Sequence, residues 1–311
     1  MPQTDIKELN FLATSAPEKM VLDAERTYFD KIEKIASQII NNPQLKLILL
    51  AGPSGSGKTT TANLLADKLR SMQTEALVIS LDNFYRDQDD PNYPRLDDGQ
   101  LDYECPESLN LDKMQAVFGK ILSGETFAIP KYDFKEGRCT EEEVHKPISQ
   151  GCVIIEGLHA LNPLISNHLP SEKILKIFIS VSTNIMDGDT QILSGRKIRF
   201  VRRLVRDSIY RGATAERTFD IWDEVLAAED VYLYPYKSHA DIAFDTFHTF
   251  ELGAMKKYAD LLLTEDLAKR NEYIAVVVAA LKQIKPVDEK YIPETSLIKE
   301  FIVGGVYENL Y

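Results

Sequence analysis

A chain of 311 residues with 44% hydrophobic content holds enough apolar material for one large α/β domain or two smaller ones. Its formal charge of −12 argues against a surface built for nucleic acid or anionic lipid, which needs clustered Lys and Arg; any anion site must be locally basic. Cys105, Cys139 and Cys152 are an odd set without C-x-x-C spacing, which points away from disulfides or structural zinc and towards a reducing, cytoplasmic setting.

Residues 1–19 show no regular period, and neither the start of a signal peptide nor a membrane-length apolar run is present. From Val21 through Tyr28, Ile32, Ile35, Ala36 and Ile39, apolar residues recur at helical spacing until Asn41-Asn42-Pro43 stops them. We read residues 1–42 as an N-terminal helical extension and residues 43–311 as one catalytic domain with a helical tail. Leu47 to Leu50 is a short apolar run of the kind found in central parallel strands, and Thr59 to Met72 is helical in pattern. Further apolar runs, Ala76 to Leu81, Cys152 to Ile155, Ile174 to Val181 and a weaker Ile242 to Phe244, alternate with helical stretches. This predicts an α/β fold: a parallel sheet with helices on both faces and ligands at the carboxyl ends of the strands. Between the second and third strands lies a long insertion, in which Phe127 to Val144 reads as an extended arm turning near Glu136-Gly137. The tail carries helical segments at Leu252 to Leu263 and Tyr273 to Ile284.

The strand at Leu47 runs into Gly52-Pro53-Ser54-Gly55-Ser56-Gly57-Lys58-Thr59, followed by Thr60. Glycines in such a loop let backbone N–H groups close around phosphate oxygens, and the next helix presents its positive end. Lys58 is placed to neutralise the β- and γ-phosphates and Thr59 to offer a hydroxyl to Mg²⁺. The motif, flanked by strand and helix, is that of a P-loop; by itself it leaves kinases, GTPases, motors and transport ATPases open.

The remaining motifs narrow the choice. Asp82, at the end of the second strand, can accept a proton from an attacking hydroxyl, although an Asp in that place often only caps a helix. Glu156 ends the third strand, where an acid meets the water shell of a bound metal. Arg196, Lys197, Arg199, Arg202, Arg203, Arg206 and Arg211 stand against one acid, Asp207, between 196 and 212. Arg199, Arg202 or Arg203, and Arg206 fall on one helical face, which suits either a phosphate-gripping lid or a solvated charged face. Because only Arg203 has an acid four residues on, we read the stripe as a lid. In the arm, Tyr132 and Phe134 share one face of a strand and Arg138 follows the turn; they can pack together or stack on a nucleobase, with Asp102 or Glu104 binding sugar hydroxyls.

Taken together, Leu81-Asp82-Asn83-Phe84-Tyr85, Pro130-Lys131-Tyr132-Asp133-Phe134, Ile155-Glu156-Gly157 and Arg202-Arg203-Leu204-Val205-Arg206-Asp207 with Arg211-Gly212 resemble the uridine kinase and phosphoribulokinase branch of P-loop kinases. The resemblance implies an inserted substrate arm and an arginine-bearing lid. It makes Asp82 the catalytic base, Glu156 with Thr59 the Mg²⁺ residues, and the arginine segment, including Arg199, Arg203 and Arg206, the lid over ATP. It places Tyr132 and Phe134 beside a nucleoside, with Tyr85, Asp102, Arg138 and Arg211 as further acceptor-side residues. The arm has Lys135-Glu136-Gly137-Arg138 where uridine kinases typically present a histidine, and Thr183 to Gly195 is longer than such a kinase needs ahead of its lid.

The expectation is therefore an ATP- and Mg²⁺-dependent kinase that phosphorylates a nucleoside hydroxyl, uridine or cytidine first. Kinases of a sugar phosphate or pantothenate are the nearest alternative, and a nucleotide-switched regulator or transport ATPase the rival from another class. The sequence lacks the guanine-reading Asn-Lys-x-Asp, and Leu193-Ser194-Gly195 does not continue as a transporter signature. The acceptor is expected to be a small molecule, with no nucleic acid and no membrane; a homo-oligomer is left open.

Overall fold

The computed structural model describes residues 2–310. The chain begins with a three-residue strand, β1 (Gln3–Asp5), and two helices, α1 (Ile6–Ser15) and α2 (Pro17–Ile40). Asp5 caps α1 by accepting the Lys7 N–H at 2.7 Å, and Pro17 opens α2 where a missing N–H costs nothing. The buried face of α2 carries Val21, Tyr28, Ile32, Ala36 and Ile39, the stripe read from the sequence, and also includes Glu25.

The central strand β2 (Leu47–Ala51) is buried on both faces and leads through the glycine loop into α3 (Lys58–Ser71). Next come β3 (Glu75–Ser80), α4 (Leu111–Ser123), the arm strands β4 (Phe127–Asp133) and β5 (Arg138–His145), and β6 (Gly151–Glu156). A short α5 (Pro163–Ser166) precedes β7 (Ile174–Ser180), and the hairpin β8 (Asn184–Asp187) and β9 (Thr190–Leu193) leads into the arginine helix α6 (Gly195–Arg211). The chain closes with α7 (Ala215–Asp220), α8 (Trp222–Tyr232), β10 (Ile242–Asp245), α9 (Glu251–Leu262), α10 (Glu265–Arg270) and α11 (Glu272–Gln283), then runs on through single helical turns.

Five strands form one parallel sheet in the order β10-β7-β2-β6-β3. Because side chains alternate along a strand, Ile48 and Leu50 of β2 enter a core with α2, α3, α6, α9 and α11, while Leu47, Leu49 and Ala51 enter a second core with α4 and the arm. Each such apolar side chain contributes about 1.5–3 kcal/mol on burial, so β2 is pinned from both sides and the loop after it starts from a fixed point. The strands on either side of β2 are β7 and β6, so the topology switches there, which is where ligands of open α/β sheets bind.

The stretch Thr183 to Gly195 is not a plain loop. Its hairpin β8–β9 forms a separate three-stranded sheet with β1, which runs parallel to β8. The N-terminal strand and helices are thus tied to the entrance of the arginine helix, and α1 and α2 bury Ile6, Leu9, Val21 and Ile32 in the same core as the sheet.

Candidate functional site

The loop after β2 turns on Gly55 (φ 72°) and Gly57 (φ 88°), both in the left-handed region where a side chain is strained. A Cβ on Gly55 would lie 2.8 Å from the Arg199 carbonyl, so the loop sits directly against α6. Four of its carbonyls are held by side-chain donors. Lys58 Nζ donates to Pro53 O at 3.3 Å, Arg199 Nη1 to Ser54 O at 2.8 Å, Arg202 Nη1 to Gly55 O at 3.2 Å and Thr246 Oγ1 to Ser56 O at 2.8 Å. A trans peptide sets its N–H opposite its C=O, so these bonds turn the Gly55 and Gly57 amides towards the inner side of the loop. Gly57, at the N-cap of α3, has no side chain with which to cap the helix, and the dipole at that end favours an anion.

Two carboxylates reach the same sheet edge. Ser80 at the end of β3 pairs with Glu156 at the end of β6, and Asp82 follows in a helical turn whose first N–H is taken by Ser80 Oγ at 3.3 Å. Burial lifts the Glu156 carboxyl to about 7, aided by the charge of Asp82 and opposed by Lys58. Asp82 remains accessible to water, but the protein crowding it raises its carboxyl above the ordinary range, while Lys58, Arg211 and Arg206 pull the other way. Lys58, Asp82, Glu156, Arg206 and Arg211 therefore act on one another at one edge. A threonine hydroxyl at Thr59 and the oxygen of a buried, proton-seeking carboxylate at Glu156 form a hard donor set that fits Mg²⁺, and inward-turned amides beside Lys58 fit a triphosphate.

The arginine helix differs from a uniform lid. Arg199 and Arg202 have no exposed surface. Arg199 makes two bonds of 2.8 Å to the Glu229 carboxylate and lies over the Trp222 ring, and Arg202 bonds both oxygens of Glu251. Glu229 Oε1 also accepts the Ser54 N–H at 2.8 Å. The sequence reading places Arg199 among the groups that grip phosphate; in the structure its guanidinium is occupied by a carboxylate and meets the loop through the backbone at Ser54. Arg199 and Arg202 have no acid a helical turn away in the sequence, as the spacing indicated, and their partners come from afar: Glu229 and Glu251 lie 30 and 49 residues along the chain from their arginines.

Arg203, Arg206 and Arg211 are arranged otherwise. All three share one acid, Asp207, at 3.2, 2.8 and 3.4 Å, and Arg203 Nη1 donates to Ser54 Oγ at 2.8 Å. Burial and the neighbouring guanidinium groups lower the pKa of Arg203 and Arg211. The cluster keeps a local positive excess beside the loop on an otherwise acidic chain.

Three residues after Asp82, Tyr85 joins Tyr132 and Phe134 in an aromatic group with ring centroids 5.0–5.6 Å apart. Tyr132 is buried, whereas Phe134 is 60% exposed. Asp102 Oδ1 accepts the Glu104 and Cys105 N–H groups, so part of its capacity fixes its own turn. Arg138 stands exposed on β5 opposite Asp133, at the tip of the arm. Burial raises the Glu104 carboxyl, which lies within electrostatic reach of Arg203, Asp82 and Asp102. His159 is buried near Glu104 with its Nδ1 unpartnered and its ring pushed down to about 4 by burial.

Comparison with known proteins now bears on these residues. The family model described as the Phosphoribulokinase / Uridine kinase family matches residues 47–252. The chain belongs to this family. It is 27% identical to the uridine kinase of Lactobacillus helveticus over 197 residues, which cover 63% of this chain and 84% of that protein. The uridine kinase of Halobacterium salinarum is 30% identical over 62% of this chain and 76% of its own length, and that of Borrelia hermsii 30% identical over 64% and 85%. The protein is thus a small-molecule kinase with a nucleotide-binding P-loop on a five-stranded parallel sheet.

Two acids that hold the arginine helix, Glu229 and Glu251, lie inside the matched range; a third, Glu300, whose Oε1 is 3.9 Å from Arg206 Nη1, lies beyond it. Sequence reasoning missed all three. Nothing local marks Glu229, one of several acids in α8, or Glu251, the first residue of α9. Their only signal is arithmetic: seven basic residues between 196 and 212 and one acid demand partners from elsewhere.

Proposed function

We propose that this kinase transfers the γ-phosphoryl group of ATP to a hydroxyl of a nucleoside, uridine or cytidine first. What carries the reading is the meeting of Lys58, Arg206 and Arg211 with Asp82 at the sheet edge, next to the arginine cluster on Asp207 and three residues before Tyr85, which joins Tyr132 and Phe134. Transfer needs positioning and charge stabilisation above all. In this reading the loop amides and Lys58 hold the β- and γ-phosphates, Thr59 and Glu156 hold Mg²⁺, and the arginines meet charge that develops on the departing phosphoryl group. Bound Mg²⁺ supplies neutralisation of the phosphate oxygens. Asp82 orients the acceptor hydroxyl and takes its proton, and Tyr132 with Phe134 offers faces on which a base can stack.

Asp82, Asp102 and Glu104 crowd the acceptor side with carboxylates, which favours an uncharged polyol such as a nucleoside over a sugar phosphate. The family relatives named uridine kinase agree with a nucleoside acceptor. Three free cysteines fit a cytoplasmic setting, and no helix among the described residues is long and apolar enough to cross a membrane.

The deciding experiment is ADP release from ATP and Mg²⁺ across uridine, cytidine, purine nucleosides, pantothenate and sugar phosphates, with Lys58→Ala as control. Stimulation by uridine or cytidine, abolished in the control, is the expected result. Stimulation only by a sugar phosphate or pantothenate transfers the site to another alcohol, and silence across the panel removes the small-molecule acceptor.

A further inference from the structure

The C-terminal segment after α11 lies outside the range of the family model, yet it is deeply buried. Leu297, Ile298, Phe301 and Ile302 have no exposed surface, and Glu300 is 4% exposed. Chain ends are ordinarily loose unless something ties them down. Here the ties run to the donor site. Leu297 packs on the phosphate loop so closely that a Cβ on Gly57 would come 2.7 Å from its Cδ1. The Arg202 guanidinium lies 5.0 Å over the Phe301 ring, and the Tyr210 hydroxyl of α6 donates to Ile302 O at 3.1 Å.

Glu300 joins the two halves of this contact. Its Oε2 accepts the Thr60 hydroxyl at 2.8 Å and the Thr60 N–H at 3.3 Å, in the first turn of α3, where the helix dipole favours a negative charge. Its Oε1 lies 3.9 Å from Arg206 Nη1. Arg206 otherwise depends on Asp207, which Arg203 and Arg211 also claim. Glu300 is therefore the second anion for an arginine that its primary partner must share, and it is anchored on the helix that carries Lys58 and Thr59.

We propose that Glu300 is a positioning residue of the donor site: held by Thr60, it fixes the Arg206 guanidinium relative to the phosphate loop. The C-terminal segment is then a built part of the site. This rests on the reading of the chain as a P-loop kinase whose Arg206 faces the terminal phosphate.

The test uses the full chain and needs no acceptor. The affinities of Mg·ADP and of the non-hydrolysable Mg·AMP-PNP are measured by calorimetry for the unaltered protein, Glu300→Gln, Arg206→Ala and the double variant. Glutamine keeps an oxygen for Thr60 and removes only the charge facing Arg206. We expect the preference for AMP-PNP over ADP to fall about tenfold in Glu300→Gln with ADP affinity changed less than about threefold, as for loss of one charge-assisted contact. In the Arg206→Ala background the same substitution has no further effect. A merely structural Glu300 would weaken both nucleotides together, or add its effect to that of Arg206→Ala, and either result overturns the proposal. So does an unchanged preference, or an unaltered protein that binds both nucleotides equally. Should Glu300→Gln not accumulate folded, Glu300→Asp, with a shorter arm, carries the same expectation. Lys58→Ala separates the two levels: if it binds ADP as well as the unaltered chain, the phosphate-loop reading fails with it; if it loses ADP while Glu300→Gln behaves as unaltered protein, only the tail proposal falls.

Discussion

Asp82 concentrates the chemistry at the scale of single residues. Its position in a turn after β3 would suit a cap, but Ser80 holds the turn's first N–H, so the Asp82 side chain is not needed for that task. Its carboxyl is raised by crowding and pulled down by Lys58, Arg211 and Arg206, the kind of balance that keeps a proton acceptor ionised beside phosphate. Asp82→Asn preserves shape while removing the ionisable oxygen that the proposed function uses as proton acceptor. Turnover should fall by about 10²–10⁴-fold with Mg·ATP affinity nearly unchanged. Initial rates and nucleotide titration on the same preparation check this, and turnover within a factor of two of the parent would show that Asp82 only orients.

At the scale of elements, α6 does two jobs with one sequence. Its inner arginines, Arg199 and Arg202, are spent on Glu229 and Glu251 and on the loop carbonyls at Ser54 and Gly55. Its other arginines, Arg203, Arg206 and Arg211, keep positive charge for the cleft. Removing one partner of a buried pair leaves an uncompensated charge, which costs about 3–5 kcal/mol, whereas an exposed pair is worth about 0–1 kcal/mol. Glu229→Gln should therefore lower stability by several kcal/mol, and Arg196→Ala, whose partner Asp230 is half exposed, by less than about 1 kcal/mol. Urea midpoints of the two variants measure the contrast directly. Equal losses would mean that the inner arginines are no better coupled than surface ones.

The whole molecule is tied together across its ends. Glu25 of α2 bonds the Ser296 hydroxyl, 271 residues away, and lies 4.0 Å from the buried ring of His248. Burial lifts the Glu25 carboxyl from 4.5 to about 7, so between those values the folded chain holds a proton that the unfolded chain has released. Stability from this group is present at low pH and is lost as pH rises towards 7, by at most about 3 kcal/mol. His248, pushed down to about 3 by burial and Arg202, works in the opposite sense, gaining stability as pH rises to 6.5. Glu25→Gln should remove the first trend and leave the second. Its urea midpoint should rise relative to the parent's as pH goes from 5 to 8, and parallel profiles would show that Glu25 is not the group that titrates.

Much of this was legible in the chain itself. Continuous apolar runs bounded by turn residues marked β2, β3, β6 and β7 within a residue or two: β2, β6 and β7 are almost wholly buried, and the half-buried edge strand β3 keeps an apolar run from Ala76 to Ile79. The glycine loop between β2 and α3, Asp82 just after β3, Glu156 at the end of β6, and the arm with Tyr132 lie where the sequence pattern put them, because each is bounded by a strand that the apolar runs mark. Some features were invisible for equally physical reasons. β1, with three residues, is too short to show a period, and its pairing with β8 exists only once the chain has folded back. The partners of Arg199 and Arg202 and the second partner of Arg206 come from α8, α9 and the C-terminal segment, and ion pairs between distant segments leave no local pattern. The sequence alone determined that a phosphate loop sits on a parallel sheet with acids at its edge. Only the tertiary structure decided which arginines are buried in holding that loop and which keep their charge for the cleft, because that choice depends on which distant carboxylate reaches each guanidinium.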